Sequence, residues 1–185
     1  MLKCNYQIDM FLSSIANFDK SGLKPTTTVV RTGDVVLGKL DTKLYSVPGF
    51  DDLFISSKDA AYDYESIKAH SISHILCVAP HLEKKFVDKD VIYHSEEILD
   101  VPWEDLSKYT NNCVEFIDKA IQSGGKVLVH CHAGISRSAS ICIIYMMTRN
   151  NLTYDEAYRL LKQSRCQIYP NKGFVKQLRE YQAKI

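Results

Sequence analysis

A thiol and a guanidinium six positions apart, Cys131 and Arg137, are the residues of this chain best suited to act on one substrate. They stand in the stretch His130-Cys-His-Ala-Gly-Ile-Ser-Arg-Ser138. A loop of this length can curl around a small tetrahedral anion. The backbone N–H groups of His132, Ala133, Gly134, Ile135, Ser136 and Arg137 then turn inward. Gly134 relieves the steric limit where the turn is tightest. A helix starting at about Arg137 aims its unsatisfied N–H groups and the positive end of its dipole at the same point. These features favour the thiolate of Cys131 at neutral pH. Arg137 adds a planar fork for two phosphate oxygens, which a lysine does not match. The Ser138 hydroxyl can stabilise Cys131 as a departing thiolate.

The flanking residues supply the elements that must hold this loop. Val127 to Val129 is an apolar, β-branched run after the turn residues Gly124-Gly125, and it predicts a short buried strand. Ala139 to Met147 is nearly unbroken apolar sequence, long enough for a buried helix. The loop is therefore expected between a strand and a helix.

A thiolate that attacks phosphorus displaces an alkoxide or phenolate, a poor leaving group unless it receives a proton. A general acid is needed on a separate segment. The carboxylates upstream are Asp88, Asp90, Glu96, Glu97, Asp100, Glu104 and Asp105. Asp100 is favoured. It follows a strand expected to run from Val91-Ile-Tyr-His94 on towards Leu99, at the end where parallel-sheet enzymes present functional loops. Asp105 is the runner-up, though its place before Leu106-Ser107 suits helix capping better.

His130-Cys131-x5-Arg137-Ser138 resembles the signature of the cysteine-based protein phosphatases, and His-Cys-x-Ala-Gly-x-Ser-Arg-Ser looks most like the dual-specificity branch. Leu53-Phe-Ile-Ser-Ser-x-Asp-Ala-Ala, then Ser73-His-Ile-Leu-Cys-Val-Ala79, resembles the opening of that domain. Pro170-Asn-x-Gly-Phe-x-x-Gln-Leu178 resembles its C-terminal segment. The resemblance spans about residues 51–182. It implies hydrolysis of phosphotyrosine and phosphoserine or phosphothreonine through a cysteinyl-phosphate, without metal or cofactor. Its acid falls on Asp100, ahead of Leu106-Ser-Lys-Tyr109, and it gives Asn171 the task of supporting the loop. The expected partner is a phosphoprotein, a kinase among the candidates. Some family members protect the nucleophile as a disulfide when oxidised, but the sequence does not choose a partner for Cys131.

His130 is read as structural, fixing the loop by hydrogen bonding to nearby backbone. A cysteine protease would use a histidine as base, yet a carbonyl substrate needs no arginine fork. The other histidines make no metal-ligand pattern. His132 either tunes the thiolate, touches substrate or is solvated filler. Two alternatives remain. One is a phosphatase for a non-protein phosphoester, disfavoured by a loop without lysine. The other is a phosphopeptide-binding module with little turnover, disfavoured because Cys131, Arg137 and Asp100 are all present.

The rest of the chain fits an α/β domain with a small, mostly parallel central sheet flanked by helices. Residues 1–49 are expected as an N-terminal helix, from about Lys3 to Phe18, and a lead-in packed on the domain, with no chemistry. The helix is a candidate dimer or partner contact. Residues 50–185 are expected to form the catalytic domain. Helices are expected over residues 57–70 (Ser57 as N-cap; Ala60, Ala61, Tyr64 and Ile67 inward), 105–122, 153–165 and from about Pro170 onward. Thr153 and Glu156 spell a capping box.

At 185 residues the chain suits one domain with a sizeable core. Apolar residues make up 45% and charged residues 24%, ordinary for a globular protein. A net charge of +1 gives no global field for nucleic acid or an acidic membrane. No run reaches transmembrane length, and the N-terminus lacks the apolar core of a secretory signal. The six cysteines form no Cys-x-x-Cys pair, so Cys77, Cys113, Cys142 and Cys166 are expected as buried apolar residues. Reduced thiols point to the cytosol or nucleus.

Overall fold

The computed structural model describes residues 41–182. The expected N-terminal helix lies outside the described residues. Among these residues five strands form one sheet: β1 (Tyr45–Ser46), β2 (Leu53–Ser56), β3 (His74–Cys77), β4 (Ile92–Ser95) and β5 (Val127–His130). Their order is β1-β2-β5-β3-β4. β5 is central and parallel to β2 and β3, β4 is parallel to β3, and β1 pairs antiparallel with β2. Part of the lead-in is thus an edge strand of the sheet.

Side chains alternate across the sheet, as strand geometry requires. Leu53, Ile55, Leu76, Val127 and Val129 enter the larger core. Phe54, Ile75 and Leu128 enter the smaller one, with Ala60, Ala61 and Ile67. Both faces are covered, which is why the central strands are apolar without interruption.

Six α-helices and one 3-10 turn (Val87–Lys89) complete the described residues: α1 (Lys58–Ala61), α2 (Tyr64–Ala69), α3 (Ser107–Gln122), α4 (Arg137–Asn150), α5 (Tyr154–Ser164) and α6 (Lys172–Gln182). α4 is buried from Arg137 to Met147. A helix apolar all round belongs in the middle of a core, and α3, α5 and α6 surround it. Asn151, in the left-handed conformation at φ 52°, ends it. The capping box opens α5 as expected: Glu156 N–H donates to Thr153 Oγ1 (3.3 Å), and Thr153 N–H donates to Glu156 Oε2 (2.9 Å). No helix among the described residues is long and apolar enough to cross a membrane.

Several expectations need correction. The helix over residues 57–70 is two, because Asp63 takes an extended conformation (φ −94°, ψ 103°) at the N-cap position of α2, its carboxylate accepting from the Ser66 hydroxyl rather than from the backbone. Aspartate competes with the helical backbone for hydrogen bonds and favours such a boundary. Ser57 stands at the N-cap of α1, but its hydroxyl donates to Asp41 O (3.0 Å) rather than to the helix. Tyr64 is exposed at the surface rather than buried with Ala60, Ala61 and Ile67. β4 stops at Ser95 instead of running towards Leu99. α3 begins at Ser107, and Asp105 Oδ1 accepts the Ser107 N–H (3.0 Å) and hydroxyl (2.7 Å) just before it. Cys77, Cys113 and Cys142 are buried, whereas Cys166 is only half-buried.

Candidate active site

β5 ends level with its neighbours: His130 lies opposite Ser56 on one side and Cys77 on the other. Cys131 follows, 1% exposed, at the carboxyl edge of the sheet. The chain then turns through residues 132–136 and enters α4 at Arg137. Gly134 sits at φ +67°, and a Cβ there would lie 2.5 Å from the Ser56 carbonyl atoms. Both the conformation and the close approach require glycine.

The orientation of the loop amides follows from their partners. In a trans peptide, the C=O of one residue and the N–H of the next point in opposite directions. Here four consecutive carbonyls are held by donors on other segments. His132 O accepts from Lys58 N–H (3.0 Å). Ala133 O accepts from Arg165 Nη2 (3.0 Å) and Gly134 O from Arg165 Nε (2.8 Å). Ile135 O accepts from Tyr169 N–H (2.8 Å). Holding these carbonyls outward turns the N–H groups of Ala133, Gly134, Ile135 and Ser136 to the opposite, inner side. The Gly134 N–H donates to Cys131 Sγ at 3.3 Å, as that geometry requires. Ser138 Oγ lies 3.3 Å from the same sulfur, so its hydroxyl is placed to donate to a thiolate.

Arg165 is fully buried and pairs with Asp41 at 2.6 Å. Its guanidinium also lies 4.7 Å from the Tyr45 ring centroid. Neither Arg165 nor Asp41 was marked by the sequence. Gln163-Ser-Arg-Cys166 carries no local sign of a buried cation, and the lead-in that contains Asp41 carried no chemical expectation.

Asp100 reaches the loop from the segment after β4. Its Oδ1 accepts from Ser136 Oγ (2.6 Å) and from Asn171 Nδ2 (2.9 Å). Asn171 N–H also donates to Ser136 Oγ (3.1 Å), so Asn171 ties the loop and Asp100 together. Asp100 Oδ2 lies 3.7 Å from Arg137 Nε, within ion-pair range but beyond a hydrogen bond. Arg137 Nη1 donates to Ile98 O (3.4 Å), while its Nε is buried without a hydrogen-bond partner. A buried charged donor lacking an acceptor is costly unless an anion completes it. Asp105, the runner-up acid, is engaged with Ser107 instead.

His130 is 1% exposed, and its Nδ1 lies 3.4 Å from Cys131 O. Burial lowers its pKa to about 4, outweighing the contact with Cys131 O. It is therefore neutral near pH 7. His132 is exposed at the mouth, and its pKa is lowered by partial burial, then by repulsion from Arg137 and Lys58. Burial pushes the Cys113 thiol up to about 12 and raises Cys77 and Cys142 as well. Those three stay protonated thiols at neutral pH. Among the described residues, no cluster of three or more histidine, cysteine or acidic side chains could hold a metal ion.

Fold and site together define a domain of the cysteine-dependent phosphatase class. Residues 53–184 match the family model described as dual specificity phosphatase, catalytic domain, and the chain belongs to that family. It is 43% identical over 130 residues to dual specificity protein phosphatase 19 of Mus musculus, covering 70% of this chain and 59% of the relative. It is 41% identical over 133 residues to dual specificity protein phosphatase 1B of Arabidopsis thaliana, covering 72% and 79%. The serine/threonine/tyrosine-interacting protein of Homo sapiens is 40% identical over 121 residues, 63% of this chain and 54% of that one. Among solved structures, the human tyrosine phosphatase-like serine/threonine/tyrosine-interacting protein superposes with a TM-score of 0.70 at 34% identity, covering 76% of this chain and 96% of that one. DUSP15 gives 0.71 at 29% identity, covering 75% and 86%.

Proposed function

We propose that this chain hydrolyses phosphotyrosine and phosphoserine or phosphothreonine in proteins, through a cysteinyl-phosphate intermediate. The observation that carries this reading is the junction of two segments at Ser136: its hydroxyl, in the loop of Cys131 and Arg137, donates to the Asp100 carboxyl at 2.6 Å. The carboxyl group proposed as the general acid thus stands beside the anion cradle.

In the first step the Cys131 thiolate forms a bond to phosphorus as the ester P–O bond breaks, and Asp100 gives its proton to the leaving oxygen. In the second step water attacks the phosphorus and passes a proton to Asp100. The S–P bond breaks, and Ser138 donates to the departing thiolate. The loop amides and the Arg137 fork hold the equatorial oxygens through both transition states, and this positioning is the larger contribution. Arg165 and Asn171 hold the loop and the acid from behind. Because the nucleophile is a thiolate, the proposal places the chain where thiols stay reduced, in the cytosol or nucleus.

A second reading is a phosphopeptide-binding module with little turnover. The relatives whose names say interacting or phosphatase-like favour it. One experiment separates the two. A chromogenic aryl phosphate is offered with chelator present to the wild type, Cys131→Ser and Asp100→Asn. The wild type is expected to turn over and Cys131→Ser to be inactive. On an alkyl phosphate assayed in parallel, whose leaving oxygen needs the proton, Asp100→Asn should lose about 100-fold or more. A wild type that binds phosphopeptide without turnover would establish the second reading. A normal rate on the alkyl phosphate in Asp100→Asn, with loss in Asp105→Asn, would move the acid.

A further inference from the structure

Beside the phosphate loop, α5, α6 and the connection between them enclose an open groove of about 580 Å³. Tyr154 and Tyr158 of α5 stack along one wall, ring centroids 5.8 Å apart. Tyr169, 66% exposed, stands in the connection. Lys172, Lys176 and Arg179 line the α6 side. Lys162 adds a fourth cation at the edge, 5.4 Å from the Tyr158 centroid and 6.0 Å from that of Tyr169. The nearby carboxylates offset two of the four cations and leave Lys162 and Lys172 as the excess. Asp155 is taken by Arg179 (2.7 Å), and Glu180 stands 3.8 Å from Lys176. Lys172 makes no ion pair with a described residue.

The groove is continuous with the catalytic loop. Tyr169 N–H donates to Ile135 O (2.8 Å), and Asn171, one residue before Lys172, bonds Asp100 and Ser136. A chain delivering a phosphorylated side chain to Cys131 therefore has this surface at its flank. A net charge of +1 for the whole sequence leaves the groove as a local concentration of cations.

Resting on the phosphatase reading above, we propose that the α5–α6 groove binds an acidic segment of the phosphoprotein substrate flanking the phosphorylated residue. Carboxylates pair with Lys172 and Lys176 at the rim, and the exposed Tyr169 ring meets the aliphatic or aromatic side chains between them. Rim ion pairs contribute about 0.2–1 kcal/mol each, so two or three amount to roughly a tenfold preference.

The test uses the full chain and two phosphopeptides with one central sequence, one with acidic residues on both flanks and one with glutamines. Expected is a kcat/KM about tenfold higher for the acidic peptide, carried by KM and shrinking as salt rises. The double variant Lys172→Glu, Lys176→Glu should lose or reverse this preference and hydrolyse a small aryl phosphate at the wild-type rate. Binding of both peptides to Cys131→Ser, with and without the double change, reads the groove separately from turnover. If turnover is absent but acidic-peptide binding still depends on the two lysines, the groove stands and the hydrolytic reading falls. Equal handling of both peptides, or a preference that survives the double change, overturns the proposal. So does a groove already filled by residues 1–40 of this chain or by a second copy, since neither would leave it open to peptide.

Discussion

Arg165 serves Cys131 without touching substrate. Its guanidinium donates to the Ala133 and Gly134 carbonyls, which turns the following N–H groups towards the sulfur and the anion. Lysine at this position has no fork and cannot hold both carbonyls. Arg165→Lys is expected to weaken tungstate inhibition about tenfold or more and to raise KM for aryl phosphate, since each charge-assisted bond contributes roughly 1.5–3 kcal/mol. Asp41→Asn is the control. It removes the ion pair but leaves both carbonyl bonds, so tungstate inhibition should stay near wild type even where thermal stability falls. Equal weakening in both variants would reduce Arg165 to a structural role.

At the scale of elements, Asp100, the proposed acid, is placed by packing between a loop and a helix. α6 begins where the loop after Asp100 rests on it: a Cβ at Gly173 would lie 1.8 Å from Pro102 O. The Gly173 backbone is not left-handed, so contact alone excludes a side chain there. Gln177 reinforces the joint, donating from Nε2 to Glu104 O (2.7 Å) and accepting from Leu106 N–H (2.8 Å). Gly173→Ala should push the loop away from α6 and Asp100 away from Ser136. Hydrolysis of alkyl phosphates, whose leaving oxygens need the proton, is expected to fall about tenfold or more. Aryl phosphates with acidic phenols should fall much less. Parallel losses on both substrates would show a general defect rather than a displaced acid.

For the molecule as a whole, one buried imidazole links the site to stability. His130 has a folded pKa of about 4 against 6.5 for an unperturbed histidine. Between those values the unfolded chain binds the proton and the folded chain does not, so stability falls as the pH falls. The contribution is fully present above pH 6.5 and is lost as pH approaches 4. From pH 7 to pH 5 this one group accounts for about 2 kcal/mol. Urea denaturation at the two pH values should show that slope, and His130→Gln should flatten it by the same amount. An unchanged slope in the variant would place the acid sensitivity elsewhere. The cost arises because β5 is buried on both sides, leaving an imidazolium at its end no water to solvate it.

The sequence by itself determined the strand, loop and helix around Cys131. Val127 to Val129, Gly134 and the apolar run after Ser138 each have one local conformation that satisfies them. The capping box at Thr153 and Glu156 was legible for the same reason: its bonds lie within four residues. Asp100 could be favoured among seven carboxylates through its place after a strand and its family register, although the strand ended four residues earlier than expected. The break at Asp63 was missed because the apolar spacing of Ala60, Ala61 and Ile67 survives an interruption between two short helices. Only the tertiary structure decided how the site is held. Arg165 meets Ala133 and Gly134 across 32 and 31 residues, Asn171 meets Asp100 across 71, and Asp41 meets Arg165 across 124. Local propensity carries no term for such distant pairs. They form because sheet and helix packing bring polar groups together out of water, where each must find a partner.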